Sequence, residues 1–229
     1  MGTAVQSLSL RDFDVDFSGC AEFAGIGLVP FANARPLVPS HYTLAGDATH
    51  AVLVVRVSHC SGTAIDGNAR GATTVSQIGI SVTGQDTTAD INNYTLGYVT
   101  DQAPLVLRYA AAGVDADLPL ALRFGLSKGL LDIASLSLHT PAFQVQGPAT
   151  PPTASPVPFV ASWWADGTRG VIRSRTTFPA IRFGTSTVTL TTPARSTLGK
   201  LIGGTSFTFA LLDSYNTFAN SHMEVRDTD

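Results

Sequence analysis

Lysine occurs twice in this chain of 229 residues, at Lys128 and Lys200. Lys128 lies at the centre of the most apolar stretch of the middle of the sequence, Leu120 to Leu138, with Leu126 before it and Leu130 and Leu131 after it. An amine attacks a carbonyl only when neutral, so a nucleophilic lysine needs its pKa lowered from the usual value of about 10.4. Burial among apolar groups lowers it by up to ~3–5 units. In that case the leucines would form the walls, and Arg123 would add a positive charge or hold a substrate carboxylate bidentately. The iminium formed with a ketone would then serve as electron sink for loss of carbon dioxide or for an aldol step. Ser127-Lys128-Gly129 is also ordinary turn composition, with the ammonium in water. The two readings make opposite demands on the surroundings of Lys128.

Gly125-Leu-Ser127-Lys-Gly129 also spells G-x-S-x-G, with Asp213 and His222 following in the order of a hydrolase triad. That motif acts as a nucleophile elbow when a strand precedes it and a helix follows. Here the segment after Gly129 reads as strand, which argues against an elbow. His41, His50 and His59 form no His-x-His or His-x-x-x-His pair, so no metal is expected. His59 and Cys60 would point to opposite faces of a strand, as would Trp163 and Trp164. Gly199-Lys200 lacks the rest of a phosphate loop. Cys20 and Cys60 are too few for a disulfide scaffold, and free thiols are expected.

The elements that must position these residues are mostly strands. Charged residues make up 14% and hydrophobic residues 44%, and the balance in Thr, Ser, Ala and Gly suits a compact, weakly charged domain. A net charge of −3 excludes nucleic acid as the expected partner. No apolar run reaches the ~18 residues of a membrane span, and the N-terminus lacks a signal-peptide pattern, so a cytoplasmic protein without membrane contact is expected. Ser7–Phe17, slipping phase at Arg11-Asp12, predicts a first strand; Gly19–Gly27 predicts a turn with close packing. Pro30–Pro39 predicts a short helical turn, His50–His59 a buried strand, Ser61–Ala72 a loop, and Thr73–Thr83 a half-buried strand. A helix is expected from Thr100 to Gly113, with Pro104 in its first turn and Gly113 closing it. Strands are expected at 159–165, 170–176, 185–191 and 206–212, and a short helix at 195–202, after a proline-rich loop at 148–158. The order does not alternate βαβα, so a mainly antiparallel sheet or barrel with a few short helices, one domain over 1–229, is predicted.

This layout resembles the acetoacetate decarboxylase-like superfamily. Pro36-Leu-Val-Pro39-Ser-His-Tyr42 resembles the family's early proline turn, and Ala51–Val57 its next strand. The helix ending at Gly113 and Ser196–Gly204 resemble later segments. In that family a lysine in a G-x-P-K-K segment forms a Schiff base with a ketone, and Gly125–Gly129 occupies a corresponding place, with Ser127 for the proline and Gly129 for the second lysine. Gln77 stands nearest the family's acidic residue. The resemblance implies a decarboxylase- or aldolase-like lyase acting on a keto acid in an apolar barrel pocket. Lys128 would be the catalytic residue and Arg123 and Gln77 substrate contacts, without cofactor, in a homo-oligomer. A lysine-independent isomerase, cyclase or dehydratase, and a non-catalytic binder of an apolar small molecule, are the alternatives.

Overall fold

The computed structural model describes residues 12–168 and 170–228. The first half runs β1 (Phe13–Pro30), α1 (Phe31–Ala34), a 3-10 turn (Arg35–Leu37), β2 (Thr43–Leu44), β3 (His50–Ile65), β4 (Asn68–Ala69), β5 (Thr73–Thr83), β6 (Ile91–Thr100) and α2 (Ala103–Ala112). Then come β7 (Ala121–Ser127), β8 (Leu130–Leu136), β9 (Phe143–Thr150), β10 (Val157–Gly167) and β11 (Gly170–Phe183). The chain ends in β12 (Thr185–Ser186), β13 (Thr189–Thr191), α3 (Thr197–Ile202), β14 (Ser206–Thr208) and β15 (Leu212–Asp227).

Seven strands close into a barrel in the order β3-β5-β6-β10-β11-β15-β1, with β1 pairing back onto β3. Every pairing around the ring is antiparallel except β6 with β10. A second sheet, ordered β14-β13-β9-β8-β7, lies against the outside of the barrel. The mainly β architecture with few short helices agrees with the sequence reading. No helix among the described residues is long and apolar enough to cross a membrane.

The apolar run in β3 is continuous because both its faces are buried. Val54 and Arg56 face the barrel interior, whereas Val55 and Val57 face the layer beneath the second sheet. That outer layer also holds Phe23, Ile78, Ile133, Val145 and Leu190, and the inner one Phe13, Tyr98, Trp163 and Met223.

Helix α2 covers one end of the barrel. Pro104 sits in its first turn, Gly113 takes the left-handed conformation at its C-cap (φ 84°), and Leu105, Tyr109 and Ala112 join the interior core. Helix α3 is capped by Ser196, whose Oγ accepts from the Gly199 N–H at 2.9 Å, and ends at left-handed Gly203.

Several expectations are corrected. Gly19–Gly27 is not a turn but the middle of β1. The small residues there admit neighbouring rings: a Cβ at Gly25 would lie 2.6 Å from the Phe209 ring. The strand at His50 continues through the segment expected to be a loop as far as Ile65. Three of the longer strands, β6, β9 and most of β15, were not predicted, nor were the two-residue strands β2 and β4. Cys20 and Cys60 are not free thiols but a disulfide, because the β1–β3 register sets them directly opposite. The part of the expected first strand before Asp12 lies outside the described residues.

Candidate active site

Lys128 occupies the tip of the β7–β8 hairpin, in the second sheet, and is exposed. Ser127 pairs with Leu130, leaving Lys128 (φ 52°) and Gly129 (φ 75°) as the two central residues of the turn. Both have positive φ, as tight hairpin turns that follow strand twist require. The turn reading of Ser-Lys-Gly therefore accounts for the residue, and the desolvation demanded of a nucleophilic amine is not supplied. Arg123, on the same hairpin, is 57% exposed and pairs with Asp132 at 2.8 Å. Neither residue lines the barrel cavity. Lys200, on α3, is also exposed.

The hydrolase constellation disperses likewise. Ser127 is exposed, Asp213 accepts from Ser186 Oγ and from the Val188 N–H at 2.8 Å, and His222 contacts Asp16 at 2.7 Å. His41 contacts Asp166, His50 contacts Asp47, and His59 contacts Thr74.

Gln77 does sit inside the barrel. It is buried and stands opposite Arg56 of β3 and Tyr98 of β6. Arg56 is the charge that organises the interior. Its Nη2 lies 2.7 Å from Glu22 Oε2, and the two side chains are 13% and 6% exposed. Its guanidinium also stands over the Phe178 ring at 5.9 Å from the centroid. Glu22 comes from β1, where it pairs across the ladder with Asn216 of β15. The Asn216 Nδ2 donates to Glu22 Oε1 at 3.5 Å, and Ser214 Oγ donates to Asn216 Oδ1. Three strands, β1, β3 and β15, thus contribute to one buried polar cluster.

On one side of the pair lies a cavity of about 50 Å³, walled by Val54, Ala161, Trp163, Phe178 and Ile181 and floored by Glu22, Arg56 and Asn216. Its half-buried outer residues, Ile26, Ile91, Phe159, Phe183 and Leu212, all lie towards the strand ends remote from α2. The barrel is therefore plugged at one end and accessible at the other. Two buried donors at this site, Arg56 Nε and Trp163 Nε1, have no hydrogen-bond partner among the described residues. Buried N–H groups are costly to leave unpaired, so such donors mark a place that a polar ligand can satisfy.

Behind Arg56 a smaller space of about 10 Å³ is lined by Gln77, Tyr98, Ser58, Cys60 and Met223 among others. Burial pushes the Tyr109 phenol up to about 12 and the Tyr98 phenol well above its ordinary value. Both are neutral at physiological pH, and the Tyr109 hydroxyl meets Ser174 Oγ at 3.0 Å.

Sequence reasoning missed Glu22 and Arg56, although each had a signal. Glu22 is one of two glutamates in the chain and stands among small apolar residues; Arg56 is the one charge in Ala51–Val57.

No family model and no curated protein matches the chain. Solved structures do. A structure of acetoacetate decarboxylase aligns with a TM-score of 0.62 at 12% identity, over 93% of this chain and 87% of that one. Acetoacetate decarboxylase from Legionella pneumophila gives 0.55 at 11%, over 93% and 88%. The chain has the acetoacetate decarboxylase-like fold. An acetoacetate decarboxylase-like enzyme from Sphingomonas wittichii RW1 aligns at 0.55 and 9% identity, over 98% and 96%. The enduracididine biosynthesis enzyme MppR, in complex with pyruvate, aligns at 0.53 and 13%, over 97% and 90%.

Proposed function

We propose that this chain is a lysine-independent enzyme that binds a small oxo carboxylate inside its barrel and moves a proton on the carbon beside the ketone. The observation that carries this reading is the buried Glu22–Arg56 pair at the floor of an apolar cavity, with an Arg56 donor and the Trp163 indole N–H left without partners among the described residues. The pyruvate held by a structural neighbour supports the ligand class.

In this mechanism Arg56 and Trp163 hold the carboxylate and carbonyl oxygens. The Glu22 carboxylate takes a proton from the adjacent carbon. The C–H electron pair forms the carbon–carbon double bond, and the carbonyl π pair moves onto oxygen, where the guanidinium stabilises the enolate. Return of the proton from Glu22 to carbon completes an isomerisation or an exchange with solvent. Schiff-base decarboxylation at Lys128 is the reading this replaces, because the hairpin tip leaves that amine in water.

The test is solvent deuterium exchange into a panel of 2- and 3-oxo acids, followed by NMR and mass spectrometry. Exchange should fall at least 100-fold in Glu22→Gln, the scale of a lost general base, and be unchanged in Lys128→Ala. Full exchange in Glu22→Gln, or a borohydride-trapped adduct on Lys128, would overturn the proposal. Binding with no exchange or product in the wild type would leave a binding protein, not an enzyme.

A further inference from the structure

The floor of the cavity and its mouth ask for opposite chemistries. Among the residues lining it, the charges are Glu22 and Arg56, both at the floor. The mouth is formed by Ile26, Ile91, Phe159, Phe183 and Leu212, each from a different strand and each half-buried. Phe159 and Phe183 meet edge to face, with centroids 5.7 Å apart, and Phe159 lies 6.0 Å from Phe178 further in. Apolar side chains on a lip fixed by strands, not on a mobile loop, form a preorganised surface.

The volume says how much of a ligand reaches the floor. About 50 Å³ accommodates roughly three to five water-sized groups. A carbonyl with its adjoining carboxylate is of that size, so any further carbons must lie along the mouth. A second charge on the ligand would come to rest against Ile91 and Phe159, with no partner there.

We propose that the preferred ligands are monocarboxylic oxo acids with an extended apolar or aromatic tail, the tail lying against the Phe159–Phe183 lip. This rests on the head-group reading above and adds the determinant of tail specificity. Compact acids such as pyruvate would bind weakly, and dicarboxylic oxo acids of equal length would be rejected.

The experiment is calorimetric titration of the full chain with straight-chain 2-oxo acids of four to ten carbons, each paired with a dicarboxylic acid of the same length. Affinity should rise about fourfold per methylene until the tail clears the lip, the equivalent of about 0.8 kcal/mol per buried CH₂. Phe159→Ala and Leu212→Gln, both checked for native melting, should each flatten that slope; the second variant keeps the test alive if the first fails to fold. A flat slope in the wild type, with binding still lost in Arg56→Met, overturns the tail inference and leaves the head-group reading standing. A slope that persists unchanged in Arg56→Met overturns the head-group reading and leaves the apolar lip. Dicarboxylic acids binding as tightly as their monocarboxylic partners would also sink the tail inference.

Discussion

Removing one member of the Glu22–Arg56 pair should destabilise the protein far more than removing both. The pair is in contact at 2.7 Å with side chains 6% and 13% exposed, so neither charge has bulk water to fall back on. Deleting one partner of a buried pair strands the other, at a cost of about 3–5 kcal/mol, whereas replacing both with uncharged groups of similar volume is often neutral. Glu22→Gln and Arg56→Met should each lose stability on that scale, and the double variant should lie within about 1 kcal/mol of wild type. For a urea slope at the upper end of the usual range, ~2–3 kcal/mol per molar, each single variant moves the midpoint down by about 1–2 M. Urea melts followed by tryptophan fluorescence, with the slope checked for constancy, give the coupling energy as a double-mutant cycle. Additive single effects below about 1 kcal/mol each would refute the reasoning, since they would mean that the two charges are solvated separately.

Three further outcomes test other parts of the structure. Lys128 holds a left-handed conformation in its turn, which costs a non-glycine residue about 1–2 kcal/mol, less for Asn; Lys128→Asn should therefore raise the melting temperature slightly while leaving deuterium exchange intact. Reducing the Cys20–Cys60 bridge, which closes a loop of 40 residues, should lower the urea-derived stability by up to about 4 kcal/mol in the chain-entropy account, and an unchanged melt after verified reduction would contradict the pairing. At Asp86, burial alone would raise the carboxyl, but hydrogen bonds from Thr88 and Ser162 and the Arg173 charge outweigh it and bring the group down to about 2. A depressed acid stabilises the fold above its unfolded value near 4 and loses that contribution as pH falls towards 2, so Asp86→Asn should abolish about 2 kcal/mol of the wild type's acid sensitivity between those limits.

What was legible in the sequence follows a physical pattern. The α2 helix, its Pro104 start and its Gly113 stop were readable because caps are local chemistry. The Thr73–Thr83 strand and the Lys128 turn were also readable from local pattern, although that strand is buried on both faces and not half-buried as expected, because it lies within the closed barrel under the second sheet. Phe13–Phe17 of β1 falls in the predicted first strand, but the rest of β1 was not readable, since Gly25 and Gly27 look like turn residues until the rings of Phe209 and Phe207 are seen packed over them. β15 was missed because Asn216, Ser214 and Ser221 are buried polar residues on a barrel strand, and they break the alternation that marks a half-exposed one. Gln77 is buried inside the barrel, opposite Arg56. Glu22 and Arg56 come together through the β1–β3 register, a contact across 34 positions in the sequence that no local motif encodes. The cysteines were misjudged for that same reason.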